Sequence, residues 1–186
     1  MQKIDGWDNI QAPREFEPLP LGAYVMRVMK AEFVTGTGYE ALDISLDVAE
    51  GEYKDYYAND YRAQTGDNKR WRGVLRLFLP KCDGSEKDEW TKSRLKGAIA
   101  AIEASNNGYK WAWDESTLKG KTVGCLYRNE EWSYNGKTGW NARPFRLTES
   151  AKVREGNFKL PKDKPLPGAK KSVDVIADDL PDDLPF

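Results

Sequence analysis

Residues 70–79, RWRGVLRLFL, alternate between two kinds of side chain. One set of alternating positions holds Trp, Gly and three Leu, whereas the other contains Arg70, Arg72, Arg76 and Phe78. Because successive residues of a β-strand point to opposite faces, the pattern predicts a strand with an apolar core face and a basic outer face. A guanidinium can neutralise a phosphate and a ring can stack on a base, so this outer face suits a single-stranded nucleic acid.

Two further segments combine aromatic rings with positive charge. Residues 56–62, YYANDYR, precede this strand, and residues 132–140, WSYNGKTGW, form a candidate hairpin around Asn-Gly. Each base stacked on a ring contributes about 1–3 kcal/mol to single-strand binding. A structural role stays open for each ring, as core for the tyrosines and as a cross-strand pair for the tryptophans. The additional candidate contact residues are Tyr57, Tyr61, Arg62, Lys69, Trp132, Tyr134, Lys137 and Trp140.

The C-terminal residues 178–186, DDLPDDLPF, have the character of a peptide ligand. A ring and a terminal carboxylate on one residue suit an apolar pocket with a basic rim, and the aspartates add long-range attraction to a basic surface. The alternative is a solvated acidic tail that only aids solubility. The candidate partner-binding residues are Asp178, Asp179, Asp182, Asp183, Leu184, Pro185 and Phe186.

The net charge of -1 conceals an uneven distribution along the chain. Residues 174–186 contain five Asp and neither Lys nor Arg, so the remainder carries 29 basic and 25 acidic side chains. Such asymmetry predicts a polyanion partner for the body and a separate acidic tail. An acidic tail of this kind is expected to compete with the polyanion for a basic surface.

Enzymatic signatures are weak in this sequence. The chain has no His, which removes the commonest general base, most zinc sites and every Ser-His-Asp triad. Glu50 with Glu52, or Asp55 with Asp60, could hold Mg²⁺, but paired carboxylates are frequent in a chain with 32% charged residues. We therefore expect a non-enzymatic protein without a metal or cofactor. Two cysteines, no signal peptide and no apolar run of about 20 residues predict a cytoplasmic protein away from membranes.

Five strands and one helix would position these residues. The spacing of Leu95, Ala98, Ile99 and Ile102 predicts the helix, and two-residue alternation predicts the strands. The order strand, strand, strand, helix, strand, strand is that of the OB-fold, a five-stranded barrel that binds oligonucleotides. The predicted class is mainly β, with this barrel over residues 1–160 and a disordered acidic tail over 161–186. The strands are predicted over 23–33, 39–49, 70–79, 122–130 and 137–148, and the helix over 91–106.

The C-terminal nine residues resemble the tail of bacterial single-stranded DNA-binding proteins, which end in several Asp, an aliphatic residue, Pro and Phe. The body is similar to an OB-fold single-stranded DNA-binding family of phages and prophages of Gram-positive bacteria. The similar stretches are AEGEYKDYY, LKGAIAAIEASNNGYKWAWDESTLKGKTVG and REGNFKLP.

This resemblance implies a protein of the bacterial host cytoplasm that coats single-stranded DNA during phage replication and recombination. It also implies a tail that recruits host or phage replication and recombination proteins. Two alternatives are kept: a protein–protein adaptor built on an OB-like barrel, and a metal-dependent phage nuclease. A homo-oligomer is compatible with the sequence, and the preference for DNA over RNA is left open.

Overall fold

The computed structural model describes residues 17–167, which form an α/β structure around one five-stranded antiparallel sheet. The predicted partner-binding residues of the tail lie outside this described part. The strands are β1 (Ala23–Gly36), β2 (Tyr39–Val48), β3 (Val74–Phe78), β4 (Thr122–Tyr134) and β5 (Lys137–Thr148). The helices are α1 (Tyr56–Ala63), α2 (Glu86–Ser105) and α3 (Ser150–Arg154), with a 3₁₀ turn at Glu115–Leu118. No helix within residues 17–167 is long and apolar enough to cross a membrane.

The strands lie in the order β3-β2-β1-β4-β5, and every neighbouring pair is antiparallel. Within residues 17–167 no ladder joins the two edge strands β3 and β5, so the sheet does not close into the predicted barrel. Helix α2 contacts both edge strands, which also approach each other directly. The helical content also makes the class α/β rather than mainly β.

The core forms where the two-residue and helical periods predicted it. Leu42, Ile44, Leu46 and Val48 of β2 are all buried, as are Leu75 and Leu77 of β3. The apolar stripe of α2 covers these side chains and is itself buried. Because each fully buried aliphatic side chain contributes about 1.5–3 kcal/mol, this contact holds α2 against the sheet.

Helix α1 was missed by the sequence analysis because a distant residue holds it. Asp47 on β2 is fully buried, and its carboxylate accepts the backbone N–H of Tyr57 at 2.8 Å and of Ala58 at 3.3 Å. Burial raises the pKa of Asp47, although these hydrogen bonds act in the opposite direction. The start of α1 is therefore fixed by a carboxylate from the sheet, which no local pattern in residues 56–63 reveals.

The β4–β5 turn and the start of α2 are both explained by local residues. Asn135 and Gly136 adopt φ of 49° and 74°, so the predicted tight hairpin between β4 and β5 is confirmed. Helix α2 begins at Glu86, earlier than predicted, because the Ser85 hydroxyl accepts the backbone N–H of Asp88.

The chain stays attached to the sheet beyond residue 160, where the tail was predicted to begin. The backbone N–H of Lys164 donates to the Asn129 carbonyl at 2.8 Å, and the Glu131 N–H donates to the Lys164 carbonyl at 2.9 Å. The Leu166 N–H then reaches the Glu131 carboxylate at 2.8 Å. These bonds place Lys164 beside the outer half of β4, next to the groove described below.

Candidate functional site

A groove of about 1380 Å³ runs along the open seam between β3 and β5. One wall is β3 together with residues 70–72, and the opposite wall is formed by β5 and Arg128 and Glu130 of β4. The first half of α2 lies between these walls, and the β1–β2 turn at residues 37–39 completes the lining. The groove therefore exists because the sheet stays open.

The groove lining is strongly basic. Nine Lys and Arg side chains line it against three Asp and Glu side chains. A groove with an excess of one charge and low-dielectric walls concentrates ions of the opposite charge. The basic residues are Arg70, Arg72, Arg76, Lys81, Lys87, Arg94, Arg128, Arg143 and Lys164; the acidic ones are Asp83, Asp88 and Glu130.

On the β3 wall, two predicted arginines are engaged by carboxylates. Two nitrogens of Arg76 donate to the two oxygens of Asp43 at 2.7 and 2.6 Å, and this bidentate contact raises the pKa of the guanidinium. Arg72 lies 3.1 Å from Asp60 of α1. Beside Arg76, the rings of Tyr39 and Phe78 meet edge to face with centroids 5.5 Å apart. The strand predicted over 70–79 is shorter and covers Val74–Phe78, where its alternation is confirmed. The charge of the two arginines is partly offset by their carboxylate partners.

The opposite wall is organised around one aromatic ring. The guanidinium carbon of Arg128 lies 3.9 Å from the ring centroid of Phe145, and that of Arg94 lies 4.9 Å from the same centroid. Arg94 also lies over Trp90 at 5.2 Å and donates to the Phe145 carbonyl at 2.8 Å. Phe145 is 8% exposed and Arg128 is 7% exposed, so both belong to the base of the groove.

Sequence reasoning missed this second wall. Trp90 and Arg94 are four residues apart on α2, a spacing that places them on one face of the helix. That spacing was a usable signal for a cation–ring pair. Their meeting with Phe145 and Arg128 depends on how α2 packs against β5, which local sequence does not specify.

The twelve predicted nucleic-acid contacts divide into several groups. Arg70, Arg72, Arg76 and Phe78 line the groove. Tyr57 also lines the groove, but its ring is only 4% exposed and its hydroxyl lies 3.0 Å from that of Tyr127. A base can stack only on a ring face that solvent can reach. Tyr57 therefore belongs to the core.

The predicted residues near α1 lie outside the groove lining. Tyr61 is 40% exposed and its ring centroid is 6.0 Å from that of Trp71, which does line the groove. Lys69 places its ammonium 6.0 Å from the Tyr61 ring, and Arg62 donates to Asn59 at 3.0 Å. These side chains form a basic and aromatic surface beside the groove end at residues 70–72.

The register of the β4–β5 hairpin sorts its predicted residues by face. Trp132 pairs with Gly139, Tyr134 pairs with Lys137, and Trp140 pairs with Glu131. Side-chain alternation therefore puts Trp132, Tyr134 and Lys137 on the face that carries Arg128 and Glu130, and Trp140 on the other face.

The idea of a Trp132–Trp140 cross-strand pair was wrong, because these residues point to opposite faces of the hairpin. Trp132 instead covers Gly139, where a Cβ would come within 2.9 Å of its ring. Tyr134 is 72% exposed and lies nearest the turn. Of the hairpin residues, it offers the most accessible ring on the face that continues the groove.

Two comparisons of the sequence with known proteins found no match. No protein-family model matches the chain, and no curated protein sequence matches it. Among residues 17–167 no cluster of three His, Cys, Asp or Glu side chains is placed to hold a metal ion. The groove with its charged and aromatic side chains is therefore the candidate functional site.

Proposed function

We propose that this protein binds and coats single-stranded DNA largely independently of sequence, with the groove as the path of the strand. The observation that carries the proposal is the excess of nine basic over three acidic side chains in a groove that also contains Trp90, Phe78 and Tyr39. Basic side chains follow the phosphates, and aromatic rings accept bases of any identity.

The proposal also includes the type of fold. The strand order β3-β2-β1-β4-β5, with a helix between β3 and β4, agrees with an OB-fold whose β3–β5 seam is left open. We propose that the body is such an OB-like domain. In this arrangement the β1–β2 turn and the β4–β5 hairpin flank the bound strand.

The tail completes the proposal. On this reading the chain is a phage or prophage protein of the bacterial cytoplasm that needs no cofactor and has no enzymatic activity. Its residues 178–186 recruit host or phage replication and recombination proteins. Lys164 lines the groove and the acidic stretch 174–186 begins ten residues later in the sequence, so we propose that the tail can reach the same basic side chains.

Binding of oligo-dT at increasing salt tests the proposal. Tryptophan fluorescence should be quenched on binding, because Trp71 and Trp90 line the groove. If four to six phosphates are neutralised, log K should fall against log salt with a slope of about -3 to -4. A flat slope would overturn the proposal, and a duplex of equal length serves as the competitor that should bind more weakly.

A second function, as a protein–protein adaptor, is favoured by one observation. Both edge strands face the groove, and an unpaired strand edge can add a strand from a peptide. No quenching and no gel shift with oligo-dT would favour the adaptor. Labelled oligo-dT incubated with Mg²⁺ or Mn²⁺ should remain intact, and its degradation would indicate a nuclease.

A further inference from the structure

A second aromatic surface lies outside the groove, in the segment that follows α2. The indole of Trp113 is 78% exposed, the largest fraction among the exposed large apolar side chains of residues 17–167. Its ring centroid lies 4.7 Å from that of Trp111, and the two ring planes are 38° apart. Neither indole lines the groove. The fold therefore leaves most of the Trp113 ring in solvent, next to a second indole.

The neighbouring indole is itself fixed to α2. The backbone N–H of Trp111 donates to the Glu103 carboxylate at 3.0 Å, and its indole N–H donates to the Asp114 carbonyl at 3.1 Å. Glu103 belongs to the last turns of α2 and also pairs with Lys110 at 2.9 Å. Trp111 is therefore anchored at the end of the helix and gives the Trp113 ring a firm surface to pack on.

The backbone at Trp113 is strained. Its φ is 64°, in the left-handed region that bulky side chains rarely adopt. Strain of this kind costs free energy, and it is found most often at binding sites and other functional positions. The exposed ring gains little from burial in return. The conformation that presents Trp113 to solvent is therefore one that the stability of the fold does not require.

Charge near the two indoles is balanced, unlike that of the groove. Residues 103–121 contain three lysines and three acidic residues. Lys119 is exposed, and Lys121 places its ammonium 4.3 Å from the ring centroid of Tyr109. A surface without excess charge has to contribute through its rings, and the flat, uncharged part of a single strand is its bases. The two indoles thus suit a base better than a phosphate.

Helix α2 connects this surface to the groove. Trp90 lines the groove and Glu103 holds Trp111, so the helix separates the two places by about 20 Å at 1.5 Å per residue. Even at about 3.4 Å per nucleotide, about six nucleotides cover that distance. Residues 91–102 between them contain Lys and Arg but no Asp or Glu. A polyanion that leaves the groove along α2 therefore meets no acidic side chain of this stretch.

We propose that Trp111 and Trp113 form a second contact for single-stranded DNA, in which Trp113 stacks on a base of a strand that continues from the groove along α2. This inference rests on the proposed function, because the groove anchors the strand. The second contact lengthens the binding site without adding a contact to a phosphate.

Oligo-dT of 6 and of 18 nucleotides separates the second contact from the groove. Trp113→Ala should weaken binding of the longer oligomer at least about fivefold, because one base loses its ring. Binding of the shorter oligomer, which the groove holds alone, should match that of the wild-type protein. The slope of log K against log salt should be unchanged for both lengths, since no cation is lost. Fluorescence anisotropy of labelled oligomers measures affinity and slope.

Two further variants distinguish stacking from a general effect on the protein. Trp113→Phe keeps an aromatic ring and should retain most of the affinity for the longer oligomer. Trp140→Ala removes another exposed indole outside the groove lining and should leave binding of both lengths unchanged. An equal loss for both lengths in Trp113→Ala would show that this residue acts through the fold, and the second contact would be wrong.

The remaining outcomes separate this inference from the proposed function. If both lengths bind but Trp113→Ala binds the longer oligomer with wild-type affinity, the second contact is wrong and the proposed function stands. If neither length binds the wild-type protein, both are wrong. A synthetic peptide of residues 174–186 is the rival occupant. If the peptide binds the wild-type protein but not Trp113→Ala, while the longer oligomer binds both equally, the two indoles bind the tail instead of DNA.

Discussion

The two walls of the groove are both rich in arginine, yet they present their charge differently. On the β3 wall, Arg76 and Arg72 lie against Asp43 and Asp60. On the β5 wall, Arg94 and Arg128 stack on Phe145, and Arg128 has another arginine, Arg143, opposite it across the ladder. One wall holds its arginines against carboxylates of β2 and α1, whereas the other stacks its arginines on an aromatic ring.

This difference shows that a basic face in a sequence does not measure the charge offered to a ligand. An arginine held by a carboxylate must exchange that partner for a phosphate, so its net contribution to affinity is small. An arginine that faces another arginine gains by meeting an anion. Arg143, which has Arg128 opposite it across the ladder, is therefore expected to gain more from a bound anion than Arg72 or Arg76.

The largest expected effect tests whether the rings of the two walls differ in role. Phe145→Ala should lower the free energy of unfolding by about 3–5 kcal/mol, because it empties a buried site beneath two guanidinium groups. Phe78→Ala, at the half-buried ring of the β3 wall, should cost about 1 kcal/mol. Urea denaturation followed by tryptophan fluorescence measures both. Equal losses would remove the distinction between the two rings.

The next prediction concerns whether the binding surface of the β5 wall extends onto the β4–β5 hairpin. Tyr134→Ala should weaken oligo-dT binding by about 1–2 kcal/mol, or roughly fivefold to thirtyfold, because an exposed ring on the groove face is lost. Trp140→Ala, on the opposite face of the same hairpin, should change the affinity little. Fluorescence anisotropy of labelled oligo-dT compares the two, and a larger effect at Trp140 would contradict the assignment of faces.

The ion pair between Asp43 and Arg76 on the β3 wall can be removed by substitution. Asp43→Asn should release Arg76 and tighten oligo-dT binding about threefold at low salt, at a stability cost of up to about 1 kcal/mol. The double variant Asp43→Asn with Arg76→Gln should lose that gain. If Asp43→Asn has no effect on binding, the ion pair does not restrain Arg76 and the contrast between the walls weakens.

The smallest expected effect concerns competition for the β5 wall. Deleting residues 174–186 removes five aspartates and should raise oligo-dT affinity about twofold near 50 mM salt. The effect should fade near 0.5 M salt, where charges are screened beyond about 4 Å. Equal affinities of the two proteins at every salt concentration would show that the tail does not compete.

Much of the fold was accessible from local patterns. The predicted bounds of β5, the Asn-Gly hairpin and the alternation of β2 and β3 are confirmed, because each depends on neighbours within a few residues. Helix α1 was not accessible, since Asp47 on β2 fixes its start. The open seam was not accessible either, because closure depends on how β3, β5 and α2 pack together, and these elements are far apart in the sequence.

The candidate site divides in a similar way. Sequence reasoning found Arg70, Arg72, Arg76 and Phe78, which share a strand or its approach, and Tyr57, which lines the groove but is almost fully buried. It missed Arg94, Arg128 and Phe145, which come from three separate elements. A binding wall assembled from distant segments has no signature in any one of them.

By itself, the sequence determined which residues alternate, which turn closes the hairpin and where the charge is concentrated, since these properties follow from side-chain period and composition. Only the tertiary structure decided which partners these charged side chains meet. Asp43 balances Arg76 across one ladder, while Arg128 meets Arg143 across another. The physical reason is that electrostatic energy depends on distance in space, and strand pairing and helix packing set those distances.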